Sequence, residues 1–117
     1  MLLFFGGQLH AHQFTPTYPK LEPSMMSGIL EAKMELFNKR QEVEYYVVAV
    51  YDADWNHVPF ATTNKLIHIK YLETKRFSIY IREKDKKRAV YICTTSKLKK
   101  EDTRFTVISS RICSKIK

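Results

Sequence analysis

The 117-residue sequence predicts an all-β sandwich, and two observations carry the prediction. Apolar and polar residues alternate with a period of two in several short segments, which is typical of strands with one buried face. These segments recur at regular intervals and are separated by stretches rich in Asn, Asp, Lys and Pro, which favour turns. About seven short strands in roughly 100 residues predict an immunoglobulin-like sandwich. We expect residues 12–117 to form one domain with a single core.

The first two predicted strands differ in regularity. HQFTPTYPKL (12–21) predicts an edge strand broken by Pro16 and Pro19, because Pro cannot donate to a strand ladder. GILEAKMELF (28–37) alternates regularly, so Leu30, Ala32, Met34 and Leu36 share the buried face.

The remaining strands follow at similar spacing. EVEYYVVAVY (42–51) is apolar on both parities from Tyr45 onward, which predicts a central strand covered on both faces. KLIHIKY (65–71) comes next, and RFSIYIR (76–82) directs Phe77, Ile79 and Ile81 inward. RAVYICTT (88–95) and TRFTVISSRICSKIK (103–117) complete the predicted set.

The N-terminal segment MLLFFGGQLHAHQ is apolar from Leu2 to Phe5 and carries no charge. This composition is typical of the end of a secretory signal, with cleavage after Ala11, and predicts a periplasmic or extracellular protein. If the segment is retained, we expect it to form a short apolar strand or arm. No stretch approaches the roughly 18 apolar residues of a membrane-spanning helix.

The two cysteines fall on strands predicted to be neighbours. Cys93 lies on the parity opposite to Val90 and Ile92, and Cys113 lies opposite to the isoleucines of the last strand. If these strands pair antiparallel with their apolar faces aligned, both sulfurs emerge on the same side, and a Cys93–Cys113 disulfide is predicted. The alternative is two free buried thiols in a cytosolic protein.

Basic residues outnumber acidic ones by 20 to 12, for a formal charge of +8. A basic patch is predicted at Lys86, Lys87, Arg88, Lys99 and Lys100. Such runs usually serve solubility, but they also support an alternative function as a nucleic-acid-binding protein.

Catalytic and metal-ligating patterns are absent from the sequence. Asp52, Asp54 and Asn56 match the first places of a calcium loop, but His57 stands where the loop needs Gly, so we predict a turn built by Asp and Asn side chains. The four histidines, with His12 at a mobile start, share no ligand spacing. We therefore predict no enzyme activity, no metal and no cofactor.

The strand order resembles the N-terminal immunoglobulin-like domain of periplasmic pilus-assembly chaperones over residues 14–117. The resemblance rests on LEAKMELFNKRQEVEYYVVAVYDADW, KLIHIKYLETKRFSIYIRE, AVYICTTSKL and SSRICSKIK. It implies that Arg111 takes the place of a basic residue that holds the carboxylate end of a pilin subunit. The Arg that partners it on the family's first strand has no counterpart in QFTPTYPKL.

We therefore expect an exported, non-enzymatic module that binds other protein subunits through a sheet edge. It would serve as an assembly factor or as a structural subunit of a secretion, pilus or virion assembly. The predicted partner-binding residues are Ile108, Ile112 and Ile116 on the last strand, together with Arg111. A subunit of a phage particle assembled in the cytoplasm is a further alternative.

Overall fold

The computed structural model describes residues 12–97 and 110–117, which form two antiparallel four-stranded sheets. The first sheet contains β1 (Gln13–Thr15), β2 (Glu22–Pro23), β3 (Ile29–Phe37) and β6 (Thr74–Arg82). The second contains β4 (Tyr45–Tyr51), β5 (Leu66–His68), β7 (Tyr91–Lys97) and β8 (Arg111–Lys115). A 3₁₀ turn at Glu83–Asp85 follows β6. The predicted all-β class is confirmed.

The assignment of strands to sheets is that of an immunoglobulin-like domain. β6 pairs with one edge of β3 along its whole length, and β1 and β2 pair with the other edge. The second sheet has the order β5-β4-β7-β8. The sheet of β1, β2, β3 and β6 thus opposes the sheet that contains β4, β7 and β8. This matches the immunoglobulin arrangement, in which strands A, B and E oppose strands C, F and G.

The core lies between the inner faces of the two sheets. The alternation predicted for β3 is confirmed, because Leu30, Ala32, Met34 and Leu36 are all buried. β6 contributes Ile79 and Ile81, and Phe77 is half-buried at the rim of the core. The facing side chains of the second sheet are Tyr46, Val48, Val50, Ile67 and Ile92.

Two predicted strands differ from the structure. β4 is central in its sheet, but no strand or helix of the described residues covers its outer face, and Val47 remains 39% exposed there. The predicted strand 65–71 is ordered as a strand only at Leu66–His68, because the chain then turns toward β6. Leu72 has a positive φ of 64° within that turn and is exposed. Both differences arise because the apolar pattern of a segment does not determine which other parts of the chain pack or pair with it.

A buried amide joins the two sheets where the chain passes from β3 to β4. Asn38 is fully buried, and its Nδ2 donates to the carbonyls of Val43 at 2.7 Å and Ile69 at 3.1 Å. Its Oδ1 accepts from the backbone N–H of Arg40 at 3.0 Å and from the Tyr46 hydroxyl at 2.6 Å. Burial raises the pKa of Tyr46 to about 12, so this hydroxyl remains a donor at neutral pH.

His12, predicted to lie at a mobile start, is instead buried at 2% exposure. Its Nε2 lies 2.8 Å from Thr94 Oγ1 in the opposite sheet, and its ring centroid lies 4.5 Å from that of Tyr46. Desolvation lowers its pKa from 6.5 to about 4, and the positive charge of Arg40 adds to the effect. The neutral imidazole is therefore part of the core near β1.

Replacing Asn38 with Ala should lower the free energy of unfolding by about 3 kcal/mol, because a buried hydroxyl and two buried carbonyls lose their partner. Tyr46→Phe, which removes one of these hydrogen bonds, should cost about 1 kcal/mol. Urea denaturation followed by circular dichroism measures both. Equal losses in the two variants would show that Asn38 does not organise this turn.

Acidification should destabilise the protein before its carboxyl groups titrate. The folded-state pKa of His12 lies below its unfolded value, so only the unfolded chain binds a proton as the pH falls from 6.5 toward 4. Stability should fall by on the order of 2 kcal/mol across this window, and His12→Gln should flatten the slope. Urea midpoints at pH 7 and pH 4.5 measure the effect. An unchanged slope in His12→Gln would assign it to other groups.

Candidate protein-interaction site

The outer edge of β8 is covered along only part of its length. Ser110 accepts a hydrogen bond from β7 and Ile116 donates to Val90, so the even-numbered residues face β7 and the odd-numbered ones face outward. The outward N–H groups of Lys115 and Lys117 donate to the carbonyls of Thr17 and Pro19, both at 2.9 Å. Among the residues that the structure describes, none pairs with the outward backbone groups of Arg111 and Cys113.

The covering segment comes from the first part of the chain. After β1 the chain leaves β3 at the cis Thr15–Pro16 bond, runs parallel to the end of β8 at 17–19, and returns to β3 as β2. The predicted interruption of the first strand by Pro16 and Pro19 is confirmed. Pro19 has no N–H, so this segment donates nothing to β8 at that position.

The predicted partner-binding isoleucines point into the sandwich. Ile112 and Ile116 are half-buried and pack against the core, whereas Ile108 lies outside the described residues. Their contact with a partner stays a prediction. The structure gives these two residues a place at the rim of the core, beside the backbone edge of β8.

Arg111 lies on the opposite, solvent-facing side of β8. Its guanidinium carbon is 5.2 Å from the ring centroid of Trp55 and 5.7 Å from that of Tyr51. Trp55 stacks on Tyr91 with centroids 4.3 Å apart and an interplanar angle of 2°. We call Arg111, Trp55, Tyr51 and Tyr91 the aromatic–arginine cluster. Cation–π contacts hold the guanidinium over the rings of Trp55 and Tyr51.

Arg111 differs from the other arginines that the structure describes in having no acidic partner. Arg40 pairs with Glu42, Arg76 with Glu35, and both Arg82 and Arg88 with Asp85. A hydrogen bond from Arg88, together with one from Arg82, lowers the pKa of Asp85. In residues 12–97 and 110–117 the planar donor array of Arg111 contacts only aromatic rings, so it is available for a carboxylate.

The turn after β4 positions Trp55. Asp52 Oδ1 accepts from the N–H groups of Asp54 and Asn56, both at 2.9 Å, and the backbone hydrogen bond from Asn56 is the largest cause of the lowered Asp52 pKa. The predicted Asp-and-Asn turn is confirmed. Trp55 adopts a positive φ of 66°, which is costly for a bulky residue. Its stacking on Tyr91 offsets this cost. No pattern in the sequence predicted the aromatic–arginine cluster.

Cys93 and Cys113 form a disulfide between directly opposed residues of β7 and β8. Their Cα atoms lie 4.0 Å apart on the outer face, as the parity of the two strands predicted. Arg111 and Tyr91 are each two residues from one of the cysteines. The bond therefore joins β8 to the sheet beneath the aromatic–arginine cluster.

The predicted basic patch is described only in part. Lys86, Lys87 and Arg88 are exposed after the 3₁₀ turn, and Arg88 pairs with Asp85. Lys99 and Lys100 lie outside the described residues, so the patch as a whole stays a prediction. Residues 12–97 and 110–117 contain no cluster of three His, Cys, Asp or Glu side chains placed for a metal, and no helix long and apolar enough to span a membrane.

Comparison with solved structures assigns the fold to that of periplasmic chaperones. The crystal structure of the E. coli chaperone DraB aligns over 92% of this chain and 53% of its own, with a TM-score of 0.67 and 15% identity. That of the periplasmic chaperone SfaE aligns over 91% of this chain and 56% of its own, with a TM-score of 0.57 and 12% identity. The chain thus spans about half the length of these structures. No protein-family model and no curated protein sequence matches.

Replacing both cysteines with Ala should lower the free energy of unfolding by about 3 kcal/mol, since the disulfide closes a loop between residues 20 apart in sequence. The environment of Trp55, the sole tryptophan, should also become more polar as β8 loosens. Urea denaturation and the emission maximum measure the two effects. Reduced wild-type protein should behave like the double variant, and full stability in both would mean that β8 does not depend on the bond.

Proposed function

We propose that this protein is an exported, non-enzymatic module that binds an extended segment of another protein subunit along the open part of the β8 edge. The observation that carries the proposal is the set of outward backbone groups at Arg111 and Cys113, which have no partner in the described structure. An added strand satisfies such groups by backbone pairing. The covered groups of Lys115 and Lys117 limit where that strand ends.

Arg111 supplies the recognition of charge. Its side chain is fixed over Trp55 and Tyr51 rather than over a carboxylate, so its donors face a partner without first breaking an ion pair. A carboxylate of the partner, either a chain end or an acidic side chain, forms a bidentate pair with a guanidinium. This is also the role that the pilus-chaperone resemblance implies for Arg111.

The inner face of β8 provides the apolar contacts with the partner. Ile112 and Ile116 are half-buried at the rim of the core, and apolar side chains of an added strand would pack against them from the open edge. Alternate residues of that strand point to the same face. The preferred partner therefore alternates apolar residues and carries a carboxylate near Arg111.

A periplasmic or extracellular location is part of the proposal. The Cys93–Cys113 disulfide is of a kind that persists in oxidising compartments. The similar fold of two chaperones, one of them named as periplasmic, also supports this location. The partner is a subunit of a secretion, pilus or virion assembly, bound either transiently or permanently.

The test uses a ten-residue peptide of alternating Val and Thr, synthesised with a free carboxyl end or as the amide. Trp55 reports binding by fluorescence because it touches Arg111. Wild-type protein should bind the free acid roughly tenfold more tightly than the amide, which is the effect of one charge-assisted bidentate pair. Arg111→Gln should remove this preference.

The matched control is Lys115→Gln, which removes one positive charge from the outer face of the same strand. It should retain most of the preference for the free acid. Ile112→Asp should weaken both peptides while the domain remains folded by circular dichroism. Absence of binding by wild-type protein, or equal losses in Arg111→Gln and Lys115→Gln, would reject the β8 site.

A further inference from the structure

A second sheet edge, on the opposite side of the sandwich from β8, is also open. β6 pairs with β3 along one side, and on its other side Tyr80 exchanges two backbone hydrogen bonds with Ala61, at 2.9 and 2.8 Å. The alternation of a strand then directs the backbone groups of Thr74, Arg76 and Ser78 to that same outer side. Of these groups, the described structure pairs only the Ser78 carbonyl, which accepts from the Thr62 hydroxyl at 2.8 Å.

The open edge arises because the chain leaves it early. After Thr62 the backbone crosses to the second sheet and begins β5 at Leu66, instead of continuing along β6. Within residues 12–97 and 110–117, the segment from Thr74 to Ser78 therefore has no neighbouring strand on its outer side. Unpaired strand edges of this kind accept a further strand.

A groove of about 440 Å³ lies beside this edge, between β6 and β5. Leu66, Ile67 and Phe77 give it an apolar side, and Lys75 and Arg76 are the fully charged residues of its lining. None of its lining residues is acidic. An added strand would direct alternate side chains into the groove and the others over the outer face beside Arg76, which is 81% exposed.

A second copy of the chain does not fit this edge well. The antiparallel register that uses all of Thr74–Ser78 is centred on Arg76 and sets Arg76 directly against its copy. Like charges in directly opposed positions destabilise a strand pair. The same arginine favours a strand with an acidic residue at that position.

We propose that the edge of β6 from Thr74 to Ser78 is a second strand-addition site, and that it binds an extended segment of a partner protein in which apolar residues alternate with acidic ones. The apolar residues occupy the groove near Phe77, and an acidic residue lies beside Arg76. Arg76 already contacts Glu35 at 3.2 Å, and an exposed pair of this kind exchanges partners at small cost. This site is separate from the proposed β8 site.

The experiment measures residue-resolved amide hydrogen exchange of the full chain with a seven-residue peptide of alternating Glu and Val, blocked at both ends. Binding at the β6 edge should slow exchange at Thr74, Arg76 and Ser78, whose N–H groups face outward, whereas binding of the same peptide at the proposed β8 site would slow exchange at Arg111 and Cys113. A peptide with Lys in place of Glu should give less protection. The two sites are thus distinguished by the position of the protected amides.

Charge variants complete the test. Arg76→Glu should weaken the Glu-Val peptide roughly fivefold, the effect of reversing one cross-strand charge pair, and should strengthen the Lys-Val peptide. Lys33→Glu, at an exposed site on the adjacent strand β3, makes the same charge change away from the edge and should have a smaller effect.

Three outcomes would overturn the proposal. If the peptide does not slow amide exchange at Thr74, Arg76 and Ser78, the charged side chains of Lys75 and Arg76 prevent strand pairing at this edge. Equal protection by the two peptides would remove the acidic preference. Protection without peptide, together with a dimer in analytical ultracentrifugation, would identify a second copy of the chain as the occupant.

Discussion

The sandwich depends on the buried amide of Asn38. The chain has to pass from the first sheet to the second between β3 and β4, and this passage buries backbone groups that no strand pairs. Asn38 satisfies the carbonyls of Val43 and Ile69 and the N–H of Arg40, and it accepts the hydroxyl of Tyr46. An unpaired buried polar group costs about 1–3 kcal/mol. One side chain therefore determines how β4 enters its sheet and where the chain after β5 turns back.

With the two sheets joined in this way, their edges become the functional part of the fold. Among the described residues, backbone pairing covers the outer edges of β8 and β6 only in part. Thr17 and Pro19 pair with the end of β8, and Ala61 pairs with the end of β6. Both covering segments leave for the other sheet before the edge is complete, because each must reach its own next strand. The uncovered stretches therefore follow from connectivity rather than from a lack of suitable residues.

The side chains beside the two open edges differ in electrostatic character. Arg111 rests on aromatic rings and contacts no described carboxylate, whereas Arg76 is paired with Glu35. The guanidinium of Arg111 is therefore already free to bind a carboxylate of a partner, whereas Arg76 must first exchange its ion pair with Glu35. The disulfide between β7 and β8 stabilises the strand that carries the first, so redox state and the β8 edge are physically connected.

Sequence patterning predicted the strands whose two faces differ. In β3 the alternation of Leu30, Ala32, Met34 and Leu36 with charged residues identified the buried side, and the parity of Cys93 and Cys113 identified the disulfide. Patterning misassigned β4, which is apolar on both faces but covered on one. It also left His12 at a mobile terminus, because nothing local indicates that Thr94 and Tyr46 meet this histidine in the opposite sheet.

The sequence likewise predicted one part of the candidate site and not the rest. Arg111 was singled out through a resemblance of the last strand, but its aromatic platform was not, since Trp55 reaches Tyr91 only through a turn with a positive φ. The open stretches of β8 and β6 were equally invisible, because they depend on where Pro16 and Thr62 direct the chain in space. The sequence by itself determined the strand class, the buried face of β3 and the cysteine pair, which are properties of local periodicity. Tertiary structure alone decided which backbone groups remain unpaired, because that depends on contacts between residues far apart in the chain.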